Sequence, residues 1–135
     1  MLSTTDIYRR LANLANFAGV FPVDALASGD LRVDRFSKVS LVANTDSANL
    51  PGMHWIAVWY NGDQAPAEIF DSFALTPPAA VQLWCSKNCS NAWKSSNFCI
   101  QDPMSTRCGN YCCLFLTNRP KFTTLDDCIS YISRV

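Results

Sequence analysis

The sequence predicts an α+β fold, and three observations carry that prediction. They are an apolar helical period near the start, a central pair of strand-like segments joined by a turn, and helical stretches toward the end. With 135 residues, 49% hydrophobic and 12% aromatic, there is enough apolar matter for one core and too little chain for two. Residues 1–135 are therefore read as a single domain.

Ser3, Thr4, Thr5 and Asp6 offer caps for a helix over residues 5–18, in which Ile7, Leu11, Leu14 and Ala15 recur near the helical period. Gly19 ends that pattern before Phe21 and Pro22. Residues 20–36 hold Pro22, Gly29 and several Asp and Ser residues and read as surface loop, residues 38–43 (KVSLVA) as a strand, and residues 44–52 as a turn-rich stretch. Residues 54–60 (HWIAVWY) are aromatic and branched, Asn61, Gly62 and Asp63 make a turn, and residues 67–71 (AEIFD) form the returning strand of a hairpin. In such a hairpin the start of the first strand and the end of the second share one end, which places His54 near Asp71. After Pro77 and Pro78, residues 78–85 suit a short helix, residues 97–101 a strand, and residues 108–116 and 125–133 two helices. There is no internal repeat, low-complexity tract or linker.

The 11 basic and 11 acidic residues cancel and are scattered, so charge leaves no footprint for nucleic acid or an anionic membrane. No apolar run is long enough to span a bilayer, and Arg9 and Arg10 interrupt the opening segment, so the expectation is a soluble, intracellular protein that is not secreted and does not engage membrane. The 7 cysteines (85, 89, 99, 108, 112, 113 and 128) are odd in number, and reduced thiols are the expected state.

A thiol nucleophile needs an imidazole to manage its proton, a polar group to hold that imidazole, and donors aimed at the oxyanion. The chain has a single histidine, His54, so any imidazole-activated thiol must use it. Cys108 follows a Ser-Thr-Arg loop and opens an apolar helix, where free backbone N–H groups and the helix dipole favour a thiolate. Cys112 and Cys113, inside that helix, read as core, with Cys112 one turn beneath Cys108. Gly109, without a side chain, is expected to let substrate backbone approach the nucleophile, and the Cys108 amide and the Gln101 side chain are placed to donate to an oxyanion. Trp55, beside the histidine, is read both as core and as a wall of the substrate cleft. Taken singly, each of these residues has an ordinary structural explanation; their order and context are what point to chemistry.

That order resembles the adenovirus protease (adenain) family, whose relatives include proteases specific for ubiquitin-like proteins and those of Maverick or Polinton-type elements and related DNA viruses. Three blocks carry it: residues 51–58 (PGMHWIAV), residues 69–73 (IFDSF) and residues 101–112 (QDPMSTRCGNYC), with weaker likeness across residues 17–26 and 39–46. The resemblance implies the permuted papain-like fold, a small mixed or antiparallel sheet packed against helices. It implies His54 as general base, Asp71 as its orienting partner, Gln101 as oxyanion donor and Cys108 as nucleophile. It also implies cleavage after small residues, often glycines, in structural-protein precursors of a virus or transposon, within the infected cell or the virion. The chain is expected to act as a monomer on polypeptide, with no metal or cofactor. An activating peptide or DNA fits the adenovirus pattern but is not indicated by the balanced charge or by the spacing of Cys85, Cys89 and Cys99.

Two other readings compete. A protease acting on ubiquitin or a ubiquitin-like modifier would use the same four residues. A non-catalytic zinc module would draw on Cys85, Cys89, Cys99 and Cys108, though only one closely spaced pair precedes the last helices.

Overall fold

The computed structural model describes residues 1–45, 54–62, 65–90, 92–102 and 105–135. Most of the turn-rich stretch 44–52, Asp63 of the hairpin turn, and Pro51, Gly52, Met53, Pro103 and Met104 of the motif blocks lie outside the described residues.

The fold is α+β, as expected. Helix α1 (Thr4–Leu11) opens with a capping box, in which the Asp6 N–H donates to Ser3 Oγ at 3.1 Å and the Ser3 N–H to Asp6 Oδ2 at 3.0 Å. The helix ends at Leu11, short of the expected residue 18. The chain turns over residues 12–16, with Asn16 in the left-handed region at φ 66°. Leu14 still packs on the core, but from the turn, so the apolar period outlasts the helix that produced it. Two elements then replace the first part of the expected loop, strand β1 (Phe17–Pro22) and helix α2 (Val23–Ala27), while residues 28–36 are irregular as expected. Gly19, at φ 133°, sits where the β1 register shifts, a bulge only glycine enters readily.

Five strands form one sheet in the order β1-β2-β3-β4-β5, with β2 Val39–Asn44, β3 Trp55–Tyr60, β4 Ala67–Phe70 and β5 Trp93–Ser95. The β2–β3 and β3–β4 pairs are antiparallel, and both edge strands run parallel to their neighbours, so the sheet is mixed. The strand expected at residues 97–101 falls instead at Trp93–Ser95. Its partner β4 stops at Phe70, and the following chain hangs on a single carbonyl, with the Ile100 and Gln101 N–H groups donating to Ser72 O at 2.9 and 3.2 Å. Helix α3 (Ala79–Asn88) precedes β5; α4 (Cys108–Asn118), a 3-10 turn at Arg119–Lys121 and α5 (Leu125–Ile132) follow it.

Alternation along each strand sends residues to two cores. Val42, Trp55, Ala57 and Phe70 face α1, α4 and α5; Leu41, Ala43, Ile56, Val58 and Ile69 face α2 and α3. With both faces covered, the central strands read as nearly unbroken apolar runs, which is why HWIAVWY shows no polar alternation. Phe70 and Phe115 stack across the first core at 4.6 Å between centroids, joining β4 to α4.

Candidate active site

Three element ends meet on the side of the sheet that faces α4: the residue before β3, the residue after β4 and the first residue of α4. They carry His54, Asp71 and Cys108. Because β3 and β4 pair antiparallel through Ala57 and Phe70, the hairpin brings His54 Nε2 to 2.7 Å from Asp71 Oδ1. The same oxygen accepts the Phe73 N–H at 2.8 Å. Asp71 is further tied to Ser96, whose Oγ accepts the Asp71 N–H and donates to the Asp71 carbonyl, both at 3.0 Å. Continuing the β3–β4 register sets Phe73 opposite His54, and the two rings stack at 4.8 Å and 27°. The imidazole is therefore held edge-on by a carboxylate and face-on by an aromatic ring.

With Nε2 engaged by Asp71, the other ring nitrogen, Nδ1, is buried and has no hydrogen-bond partner among the described residues. The neighbour acting on the ring, besides Asp71, is the Cys108 thiol. Burial works against the charged ring, but the hydrogen bond to Asp71, the interaction with Cys108 and the negative charge of both overcome it and raise His54 from 6.5 to about 9. Cys108 moves the other way. Burial opposes its thiolate, yet the nearby His54 ring, the Trp55 amide, the charge of His54 and the Gly109 amide bring it below its usual range. No side chain caps the first turn of α4, so its N–H groups stay available to an anion. The two shifts run in the directions that favour a thiolate beside an imidazolium.

Gln101 lies on the chain after β5, is buried, and has both ends of its amide engaged. Ser72 Oγ donates to Gln101 Oε1, and Gln101 Nε2 donates to Ser105 O at 2.9 Å. One amide hydrogen of Nε2 remains unassigned by these bonds.

Trp55 takes the core reading of the two expected for it, and Gly109 has close protein neighbours. Trp55 is 3% exposed and belongs to the core between the sheet and α4, so its ring lies beneath the site and does not wall an open cleft; its backbone N–H is what reaches Cys108. A Cβ on Gly109 would meet Ile7 Cδ1 and Trp55 Cδ1 at 3.2 Å and Leu2 Cβ at 3.3 Å. What approaches closely at Gly109 is Leu2, Ile7 of α1 and the tryptophan, so the missing side chain serves helix packing. Sequence reasoning assigned no role to Ser72, Phe73 or Ser96, although Ser72 and Phe73 lie inside a motif block.

All seven cysteines are free. Cys112 is fully buried one turn after Cys108, and burial raises its pKa. Cys85, at the end of α3, is raised by a hydrogen bond with Cys89 and by burial. Among the described residues no group of three or more His, Cys, Asp and Glu is gathered as metal ligands, and no helix is long and apolar enough to cross a membrane.

No family model matches the chain. Curated relatives do, among them the protease of Human adenovirus A serotype 12, 27% identical over 83% of this chain and 59% of its own length, and the protease of Bovine adenovirus 2, 28% identical over 82% of this chain and 58% of its own. The chain thus spans under three fifths of the length of these relatives. Among solved structures, the ASFV protease superposes with a TM-score of 0.64 at 18% identity, covering 96% of this chain and 61% of that one. In sequence the chain is similar to the adenovirus proteases over most of its own length, and in fold to the ASFV protease, as its motif blocks implied.

Proposed function

We propose that the chain is a cysteine endopeptidase in which Cys108 attacks a peptide carbonyl, His54 shuttles the proton and Asp71 holds His54. The observation that carries this reading is the pairing of the only histidine with both a carboxylate and a thiol, drawn from three separate elements, with the two pKa values displaced in opposite directions.

The cycle starts from the thiolate. Cys108 Sγ bonds to the carbonyl carbon, and the carbonyl electrons move to oxygen, stabilised by Gln101 Nε2 and the Cys108 amide. Collapse breaks the C–N bond, and the His54 imidazolium gives its proton to the leaving amine. His54, now neutral, takes a proton from water as it attacks the thioester. The acid product leaves, and thiolate and imidazolium are restored. Asp71 keeps Nε2 protonated and Nδ1 turned to the sulfur throughout.

The adenovirus resemblance supports polypeptide precursors of viral or transposon structural proteins as substrates, cut after small residues, in the infected cell or virion. The test is labelling with a thiol-directed electrophilic peptide ending in glycine, with the adduct located by mass spectrometry. Fast labelling confined to Cys108, abolished in Cys108→Ala and slowed at least tenfold in His54→Ala, is the expected result. Slow labelling spread over several cysteines and indifferent to His54 would overturn the reading. Cleavage of modifier conjugates in preference to precursor peptides would move the substrate to the ubiquitin-like class.

A further inference from the structure

We infer that Ser72 is a positioning residue for the oxyanion site, anchoring the Gln101 amide so that its donor end stays turned toward the reacting carbonyl; the inference rests on the protease reading above. A glutamine amide has an acceptor end and a donor end of nearly the same shape, and only the donor end can stabilise an oxyanion. Something must therefore choose between them.

One contact makes that choice and a second holds it. The Ser105 carbonyl can only accept, so at 2.9 Å it selects Nε2; the Ser72 hydroxyl, which could serve either end, then donates to Oε1 and anchors the amide in that orientation. Ser72 is 1% exposed and Gln101 3%, so water does not compete for these bonds, and an amide turned the wrong way would leave buried groups unpaired. Ser72 also holds the glutamine by its backbone, since its carbonyl accepts the Gln101 N–H. One hydrogen of Nε2 is spent on Ser105, and the second, without a partner among the described residues, is left for substrate. Residues 71 and 72 then divide the work at the end of β4, with Asp71 orienting the base and Ser72 the oxyanion donor.

The test separates a step that needs the oxyanion from one that does not. Alkylation of Cys108 by iodoacetamide displaces iodide at a saturated carbon and forms no oxyanion, whereas hydrolysis of a peptide ester ending in glycine does. Ser72→Ala is expected to leave the alkylation rate within twofold, to lower kcat about 10- to 100-fold with KM little changed, and to add no further loss in a Gln101→Ala background. Ser72→Cys, which keeps the volume and a weak donor, should fall between, and carries the same comparison if the alanine variant does not fold. Equal slowing of alkylation and hydrolysis, or losses from Ser72→Ala and Gln101→Ala that simply add, would overturn the inference. If the unsubstituted protein shows no fast, His54-dependent alkylation at Cys108, the protease reading itself falls, an outcome distinct from a Ser72 result obtained on a reactive thiol.

Discussion

At the scale of single residues, the arrangement of charge around His54 dictates a pH profile. The ring holds its proton to about 9, and Cys108 loses its own below the ordinary thiol range, so the ion pair occupies the window between them. Alkylation needs only the thiolate. Its rate should reach half-maximum below the usual thiol pKa and then stay level, while peptide hydrolysis, which also needs the imidazolium, should fall as pH passes about 9. In His54→Ala the alkylation midpoint should move up toward an ordinary cysteine; stopped-flow alkylation across pH checks both. Asp71→Asn removes the charge that sustains the imidazolium but leaves an oxygen for Nε2, so kcat/KM should fall roughly 10²-fold less than on losing Cys108 or His54. The positions of these groups were legible because the chain has one histidine, because hairpin pairing fixes which strand ends meet, and because a loop entering an apolar helix marks its first turn. Ser72, Phe73 and Ser96 were not legible. Their partners are set by how the chain after β5 folds back on the end of β4, and a hydroxyl or ring in an irregular segment carries no periodic signal.

At the scale of elements, the site depends on how closely α1 and α4 approach. Gly109 sets that distance, since its missing side chain is where Ile7, Trp55 and Leu2 meet α4. Gly109→Ala should destabilise the fold by about 1–3 kcal/mol through overpacking, read as a lowered urea midpoint, and shortening the Ile7 side chain with Ile7→Val should recover part of the loss. The elements that sequence reasoning located well are those with one periodic pattern from cap to cap, such as α5, whose N-terminus the Thr124 hydroxyl closes by accepting the Asp127 N–H at 3.1 Å. Those it missed are short. Strand β5 has three residues and pairs along one edge only, and β1 and α2 abut at Pro22 with no loop between them, so composition averages over both. The early end of α1 shows a second cause: Leu14 meets the core from a turn, and an apolar period cannot distinguish a helical residue from a turn residue on the same side.

At the scale of the whole molecule, the first core must hold the sheet and α4 in register, or the thiol and imidazole separate. Besides the Phe70–Phe115 stack, a buried ion pair does this at the far end of α4. Arg119 Nε and Nη2 donate to Glu68 Oε1 and Oε2 at 2.5 and 2.8 Å, Nη1 donates to Phe122 O at 2.7 Å, and the guanidinium lies 4.2 Å from the centroid of the Trp59 ring. Lys94, half-exposed on β5, adds a longer contact to Glu68 at 3.8 Å. Glu68 points to this side because it shares a face of β4 with Phe70, the same alternation that divides the two cores. Desolvation offsets most of what such a pair gains, but removing one partner strands the other as a buried charge. Arg119→Met should therefore cost about 3–5 kcal/mol, whereas the double change Glu68→Leu with Arg119→Met should recover most of that loss. Urea unfolding of the two variants measures the difference. If the pair serves to clamp α4 on the sheet, the single variant should also lose His54-dependent alkylation of Cys108 in step with its folded fraction, and the double variant should regain it. A double variant that regains stability without regaining the reactive thiol would assign the pair a role in setting the register of α4 that apolar packing does not replace.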